Sequence, residues 1–274
     1  MTVPPLDLTG CFGPYFRDRT VFVAGVGTGI NLALARAYAA AGAHVAVCGR
    51  REKVLLEAVE QLTRAGGSAE HVVLDVTDQP AVSAALSELV GRRGGLDVVV
   101  HGAAVNTPYP AEDLSLAGFD RVLDSDLRGA FVLGREAFPH LRDSKGTLLF
   151  ISAPQAFLPT PYQSHVCAAK AGMDALMRTL AAEWGRHGIR CNSLVPGAVR
   201  ATEGFRRLIP EAAAERLAAH LPLRRFPELD ELARTALFLT SPLASCVTGA
   251  VLVADCGQSL LGNGLFSALL TEEV

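Results

Sequence analysis

The chain has 274 residues, half of them apolar and 19% charged, with a formal net charge of −3. That length can bury one large core, and the mild negative balance offers no footing for nucleic acid or an anionic membrane surface as a partner. No apolar window reaches membrane-spanning length without a charge or a breaker. The six cysteines (Cys11, Cys48, Cys167, Cys191, Cys246 and Cys256) form no CxxC pair and no metal-ligand spacing, so no metal and no disulfide framework is expected.

Residues 1–18 read as an irregular leader. Thr20–Gly25 is a β-branched run that predicts the first strand, and the alanine-rich stretch Ile30–Ala41 predicts the first helix. A strand over His44–Gly49 and a helix over Glu52–Arg64 follow, then strands at Glu70–Asp75 and Leu96–Gly102 around a helical Ala81–Gly91. A long helical stretch, Phe119–Leu141, precedes a strand at Thr147–Ser152, and a helix around Cys167–Arg186 leads to a strand at Ile189–Val195. Residues 200–227 read as a lid-like insertion before a helical Leu229–Leu239 and a last strand, Ala250–Ala254. Alternation of helices with nearly continuous apolar strands specifies a parallel sheet covered on both faces. The expectation is a single α/β domain over 1–274, doubly wound in the Rossmann manner.

The first strand runs into Ala24-Gly25-Val26-Gly27-Thr28-Gly29-Ile30-Asn31. Glycines after a strand and before a helix let a pyrophosphate approach backbone N–H groups at a helix N-terminus, which points to a dinucleotide. The spacing resembles the short-chain dehydrogenase/reductase family, with Asn31 where that family has its third glycine. A side chain there is expected to loosen or shift the packing of helix on strand. The second strand ends Val47-Cys48-Gly49-Arg50-Arg51. A carboxylate at this point suits NAD, whereas arginine accommodates a 2′-phosphate. Gly49 stands at the carboxylate position, so Arg50 and Arg51 point to NADP, or else merely open a solvated helix. By the same resemblance Asp75 and Val76 meet the adenine, and Ala103 joins the cofactor wall. Pro196, Gly197 and Val199, with Thr202, form the segment over the nicotinamide amide and pyrophosphate.

The family's active site is a tyrosine with a lysine four residues later, a serine thirteen before the tyrosine, and an asparagine in the helix after strand four. Lys170 in Cys167-Ala168-Ala169-Lys170-Ala171-Gly172 fits the lysine. Counting back gives Val166 for the tyrosine and Ala153 for the serine, and Asp126 stands at the asparagine position. Neither valine nor alanine transfers a proton, so carbonyl reduction through a tyrosine is excluded. The family's peroxisomal-type 2,4-dienoyl-CoA reductase branch shares these departures. Further stretches resemble that branch: Gly102-Ala103-Ala104-Val105-Asn106, Leu123-Asp124-Ser125-Asp126, His165, Ala182-Glu183-Trp184-Gly185, Ile189–Gly197, Thr202–Arg207 and Ser241–Asp255.

The resemblance implies an NADPH-dependent reductase of a conjugated acyl thioester. Its acid is a water held by Asp126 and Lys170, with His165 a further candidate, and Lys170 also binds the nicotinamide ribose. Asn106 is a candidate amide donor to the thioester oxygen, Thr107 a neighbouring substrate contact, and Arg207 a partner for CoA phosphates. Two alternatives stay open. One is an oxidoreductase acting on another small carbonyl or hydroxy substrate. The other is a silent dinucleotide-binding scaffold, which Asn31 and His101 slightly favour because His101 stands where the family has asparagine. The family's homotetramer is expected through residues 119–141 and 163–187. The end Thr271-Glu272-Glu273-Val274 is not a Ser-Lys-Leu signal, and a cytoplasmic location is expected.

Overall fold

Seven short runs rich in valine, leucine and alanine become seven parallel strands in the computed structural model, which describes residues 7–261. They are β1 (Thr20–Ala24), β2 (His44–Gly49), β3 (Ser68–Val73), β4 (Val98–His101), β5 (Thr147–Ile151), β6 (Arg190–Pro196) and β7 (Val251–Ala254). Their order in the sheet is β3-β2-β1-β4-β5-β6-β7. Every strand except β3 and β7, at the two edges, is buried along nearly its whole length, which explains the near-continuous apolar runs. The winding reverses between β1 and β4, and a crevice opens there at the strands' carboxyl ends, where ligands of such sheets bind.

Alternation along each strand feeds two layers. Val21 and Val23 of β1, Val45 and Val47 of β2 and Val98 and Val100 of β4 face one core with Leu34, Tyr38, Leu55, Leu62 and Leu237. Phe22, Ala24, Ala46, Cys48 and Val99 face the other with Leu86, Leu89, Leu133, Leu141, Met173 and Met177. The first layer is made by α1 (Leu8–Phe16), α2 (Ile30–Ala40), α3 (Glu52–Arg64) and α10 (Leu229–Thr240). The second is made by α4 (Gln79–Arg93), α6 (Gly129–Ser144) and α7 (Ser164–Trp184). Two short helices, α8 (Glu203–Leu208) and α9 (Glu211–His220), occupy the 200–227 insertion around a small core of Phe205, Ile209, Leu217, Leu221 and Phe226. No helix among the described residues is long and apolar enough to cross a membrane.

Three features depart from expectation. The leader is not irregular over its described part, because α1 is capped by Asp7 and buries Phe12 and Phe16 against α2. Phe16 meets Tyr38 edge-on at 5.3 Å, and two glycines and a proline in the helix mask its apolar stripe. The third strand begins two residues earlier than its apolar run, since β3 is half-exposed while Leu74 and Val76 just beyond it pack into the second core. The long helical stretch is one path with a π-helical turn, Leu123–Arg128, between α5 (Leu116–Val122) and α6. Such turns are frequent at functional sites, and this one carries the buried Asp126.

Candidate active site

A cavity of about 910 Å³ lies over the crevice between β1 and β4 and extends under α8. At its nucleotide end the chain turns from β1 into α2 through Gly25 and Gly29, at φ +81° and +84°. A Cβ at Gly25 would overlap the backbone of Ala103, so only glycine lets the β1 and β4 turns touch. Gly27, Thr28 and Ile30 line the cavity, and Gly29 caps α2.

Asn31 does not loosen this junction. Its Nδ2 donates to the carbonyls of both Gly25 and Gly102 at 2.8 Å, tying the β1 and β4 turns together. Replacing Asn31 by alanine removes two hydrogen bonds of about 1 kcal/mol each. A loss of roughly 2 kcal/mol in denaturant unfolding, with weaker dinucleotide binding, is the expected outcome.

Beyond the glycines, Arg50, Arg51, Asp75 and Val76 form the outer wall. Asp75 accepts from Thr77 N and Oγ1 at 3.0 and 2.8 Å, and Arg50 approaches it to 3.7 Å. Burial alone raises this carboxyl, but the two Thr77 bonds and the Arg50 charge outweigh it and hold Asp75 below the usual carboxylate range. Arg51 is free of an ion pair among the described residues and reaches over the glycine turn, 3.1 Å from where a Cβ on Gly27 would sit. On the opposite wall Pro196, Gly197 and Val199 line the cavity with Thr202. Thr202 caps α8 by accepting from Phe205 N. Gln258 also reaches this wall, its Oε1 accepting from Ala198 N at 2.9 Å. The glycine-opened turn, the unpaired Arg51 and the absence of any side chain at Gly49 fit a nicotinamide dinucleotide laid along this groove. Among the described residues no cluster of histidine, cysteine, aspartate and glutamate fits a metal ion.

At the inner end Lys170 and Asp126 meet. Lys170 Nζ lies 3.2 Å from Asp126 Oδ2, both side chains 6% exposed or less. Nζ also donates to Ile151 O at 3.1 Å, and Asp126 Oδ1 accepts from Val105 N at 2.9 Å. Asp126 Oδ1 is thus hydrogen-bonded, whereas Oδ2 is ion-paired with the ammonium without an aligned hydrogen bond, and the ammonium keeps N–H groups beyond the one given to Ile151 for the cavity it lines. Val166 and Ala153 line the same space, so no hydroxyl stands where a tyrosine and serine would.

Two further titratable groups lie behind this pair. His101, at the end of β4, is fully buried; neither ring nitrogen makes a well-aligned hydrogen bond among the described residues, and the Asp126 backbone favours its proton only weakly. Burial, followed by the Lys170 charge, drives its pKa down to about 3, so the ring is neutral. Asp174, one turn after Lys170 on α7, accepts from Ser193 Oγ at 2.7 Å. Burial raises its pKa despite that bond.

The substrate-side wall holds Asn106 and Gln155, both donating to the fully buried Gln163. The structure does not bring the other substrate-side candidates to the cavity. His165 is buried with Nε2 3.1 Å from Thr107 O, a structural contact that ties α7 to the loop after β4. Thr107 uses only its backbone carbonyl there. Arg207 is exposed and pairs with Glu203 one turn earlier on α8. Gln155, Gln163, Asp174 and Gln258 carry no motif, and only the fold places them here.

A sequence family described as enoyl-(acyl carrier protein) reductase matches residues 25–259. The chain is 37% identical over 273 residues to a (3E)-enoyl-CoA-producing peroxisomal 2,4-dienoyl-CoA reductase of Pongo abelii, covering 95% of this chain and 94% of that one. It is 36% identical to the enzyme of the same description from Saccharomyces cerevisiae, over 90% of this chain and 86% of the other. Solved structures share the fold. A 7α-hydroxysteroid dehydrogenase complexed with NADH and 7-oxo glycochenodeoxycholic acid superposes with a TM-score of 0.85 at 27% identity, covering 90% of this chain and 96% of its own. A gluconate 5-dehydrogenase from Burkholderia cenocepacia in complex with NADP and tartrate gives 0.85 at 27%, covering 92% and 99%. With this sheet, this glycine turn and this lysine, and matched from Gly25 to Ser259, the chain belongs to the short-chain dehydrogenase/reductase family of oxidoreductases.

Proposed function

We propose that this protein reduces 2,4-dienoyl-CoA thioesters with NADPH. The observation that carries the reading is the buried Lys170–Asp126 pair facing a cavity in which Val166 and Ala153 replace the proton-transferring tyrosine and serine. Reduction of a ketone makes an alkoxide that needs an acid beside it, and neither Val166 nor Ala153 can supply one. Conjugate reduction has no such need, because charge spreads along the diene to the thioester oxygen.

The reduced nicotinamide, when bound, supplies a hydride to the δ carbon of the acyl chain. Lys170 holds the ribose hydroxyls and polarises a water that returns a proton to the α or γ carbon, using the N–H groups not given to Ile151. Asp126, fixed by Val105 N–H, holds the Lys170 ammonium in place. The shared name of the relatives from Pongo abelii and Saccharomyces cerevisiae supports the substrate class. The six cysteines, all free, suit a reducing compartment, for which we keep the cytoplasm.

Arg51 supports the choice of NADPH. A planar guanidinium without a carboxylate partner is well suited to a 2′-phosphate. Arg51→Ala is expected to raise KM for NADPH about 10- to 100-fold and leave KM for NADH nearly unchanged, as measured by steady-state kinetics with each cofactor. An equal effect on both cofactors would overturn this assignment.

The activity itself is tested by mixing the protein with NADPH and 2,4-hexadienoyl-CoA and following the nicotinamide and dienoyl absorbances together. Joint loss of both bands, with little reduction of a plain 2-enoyl-CoA, is the expected result. Tight NADPH binding without turnover of any thioester would overturn the reading.

A further inference from the structure

We infer that Gln258, in the turn after the last strand, is a further cofactor-binding residue whose side-chain N–H groups hold the carboxamide oxygen of the nicotinamide. The inference rests on the dinucleotide in the groove and not on the choice of acyl substrate.

The groove runs from Arg51 and Asp75 past the glycine turn to Lys170. Strand β6 brings the opposite wall to that inner end. Ser152 N donates to Leu194 O at 2.9 Å while Lys170 donates to Ile151 O, so Pro196 leaves the sheet beside the lysine's own anchor. Six residues on, Thr202 lies against the glycine turn, its Cγ2 3.1 Å from where a Cβ on Gly29 would sit. With the pyrophosphate on that turn, the nicotinamide half lies along residues 196–202. Its acceptors are phosphates, ribose hydroxyls and one carboxamide oxygen. The glycine turn and Lys170 serve the first two, and the third is left to this wall.

Gln258 lines the cavity here, and its Oε1 accepts from Ala198 N at 2.9 Å. A backbone N–H only donates, so the orientation of this amide is fixed. Its oxygen faces Ala198, and Nε2 with two N–H groups faces away. Nε2 meets no acceptor among the described residues. The clasp thus consumes the backbone donor of Ala198 and presents two side-chain donors farther from the chain. The turn that carries Gln258 is pinned on every side. Asp255 accepts from Gly257 N at 2.8 Å and from Ser259 N at 2.7 Å. Leu223 N donates to Cys256 O at 3.2 Å, and Cys256 takes φ +56°, a left-handed conformation that persists only where surrounding structure enforces it. A Cβ on Gly197 would lie 2.8 Å from Asp255 Cα, so this turn and the 196–199 wall touch directly. An amide aimed by so rigid a turn has little ordering left to lose on binding.

The test is calorimetric and needs no acyl substrate. Binding of NADPH and of 2′-phospho-ADP-ribose, which is NADPH without its nicotinamide, is measured for the full-length wild type, Gln258→Leu and Gln258→Glu. Leucine removes both the clasp and the donors. Glutamate keeps an acceptor for Ala198 N–H but offers no N–H of its own. Wild type is expected to prefer NADPH over the fragment, and both variants to lower that preference about 5- to 10-fold, the worth of one hydrogen bond. A preference unchanged in Gln258→Glu would show that the amide donates nothing to the nicotinamide and would overturn the inference. Equal weakening of both ligands would mark a structural role and overturn it too, as would a wild type that binds NADPH no more tightly than the fragment. A wild type that prefers NADPH yet reduces no dienoyl thioester would overturn the functional reading and leave this inference standing.

Discussion

Lys170→Met is expected to lower kcat/KM by roughly 10³-fold or more and, separately, to destabilise the fold by about 3–5 kcal/mol. The two losses have different origins. The first follows from the N–H groups of Lys170 beyond the one given to Ile151, which are the donors of the buried pair available to a ribose and a water in the cavity. The second follows from Asp126, whose side chain is 1% exposed and would lose its counter-charge, leaving Val105 N–H as its hydrogen-bond donor. A buried carboxylate stripped of its counter-charge is among the costlier single changes. The double variant Asp126→Asn with Lys170→Met removes both charges and leaves an amide oxygen for Val105 N–H. Its stability is expected to return to within about 1–2 kcal/mol of the wild type while its turnover stays lost. Chemical denaturation and steady-state kinetics on the same three proteins separate these effects. Turnover of Lys170→Met within tenfold of wild type would remove the lysine from the mechanism.

His101 gives the second large effect, on acid stability. In the folded chain its pKa is about 3, against an ordinary 6.5, because burial and then the Lys170 ammonium oppose a positive charge on the ring. As pH falls below about 6.5 the unfolded chain takes up this proton first, so the folded state loses stability progressively until about pH 3. At about 1.4 kcal/mol for each pH unit, the window amounts to on the order of 5 kcal/mol. His101→Leu removes the titration and two unpartnered nitrogens together. The variant is expected to match or exceed the wild type in stability near neutral pH, and to lose about 2–3 kcal/mol less between pH 6 and pH 4. Denaturant midpoints measured across that range decide it. Parallel acid profiles for the two proteins would show that this imidazole does not sense the pH.

Much of this molecule was legible in the chain. The strands were readable because five of the seven are buried on both faces, so their apolar runs are nearly unbroken and alternate with longer amphipathic stretches. The edge strand β3 was misplaced for the complementary reason, as its half-exposed residues carry less of the signal than Leu74 and Val76 beyond it. Helix α1 was hidden by Gly10, Gly13 and Pro14, whose poor propensity is overridden by the burial of Phe12 and Phe16.

At the site, sequence spacing identified Lys170 and Asp126, and the structure brings them to 3.2 Å of each other. The meaning of Asn31 was not legible, because its two carbonyl partners belong to turns that only the sheet order places side by side. Arg207, Thr107 and His165 were plausible by type and position, yet Arg207 pairs with Glu203, His165 meets the Thr107 carbonyl, and none of the three lines the cavity. Gln155, Gln163 and Gln258 gave no signal at all. Amides in a polar loop look like ordinary turn residues, and only the fold shows what they meet.

The most direct test of the central claim is the fate of the two hydrogens. The protein is supplied with NADPH deuterated at its transferable position and with 2,4-hexadienoyl-CoA in ordinary water, and the product is read by NMR. The account predicts deuterium on the δ carbon, a solvent proton on the α or γ carbon, and an intact thioester. Deuterium on the carbonyl carbon or the β carbon, or NADPH oxidised without any change in the acyl chain, would contradict it.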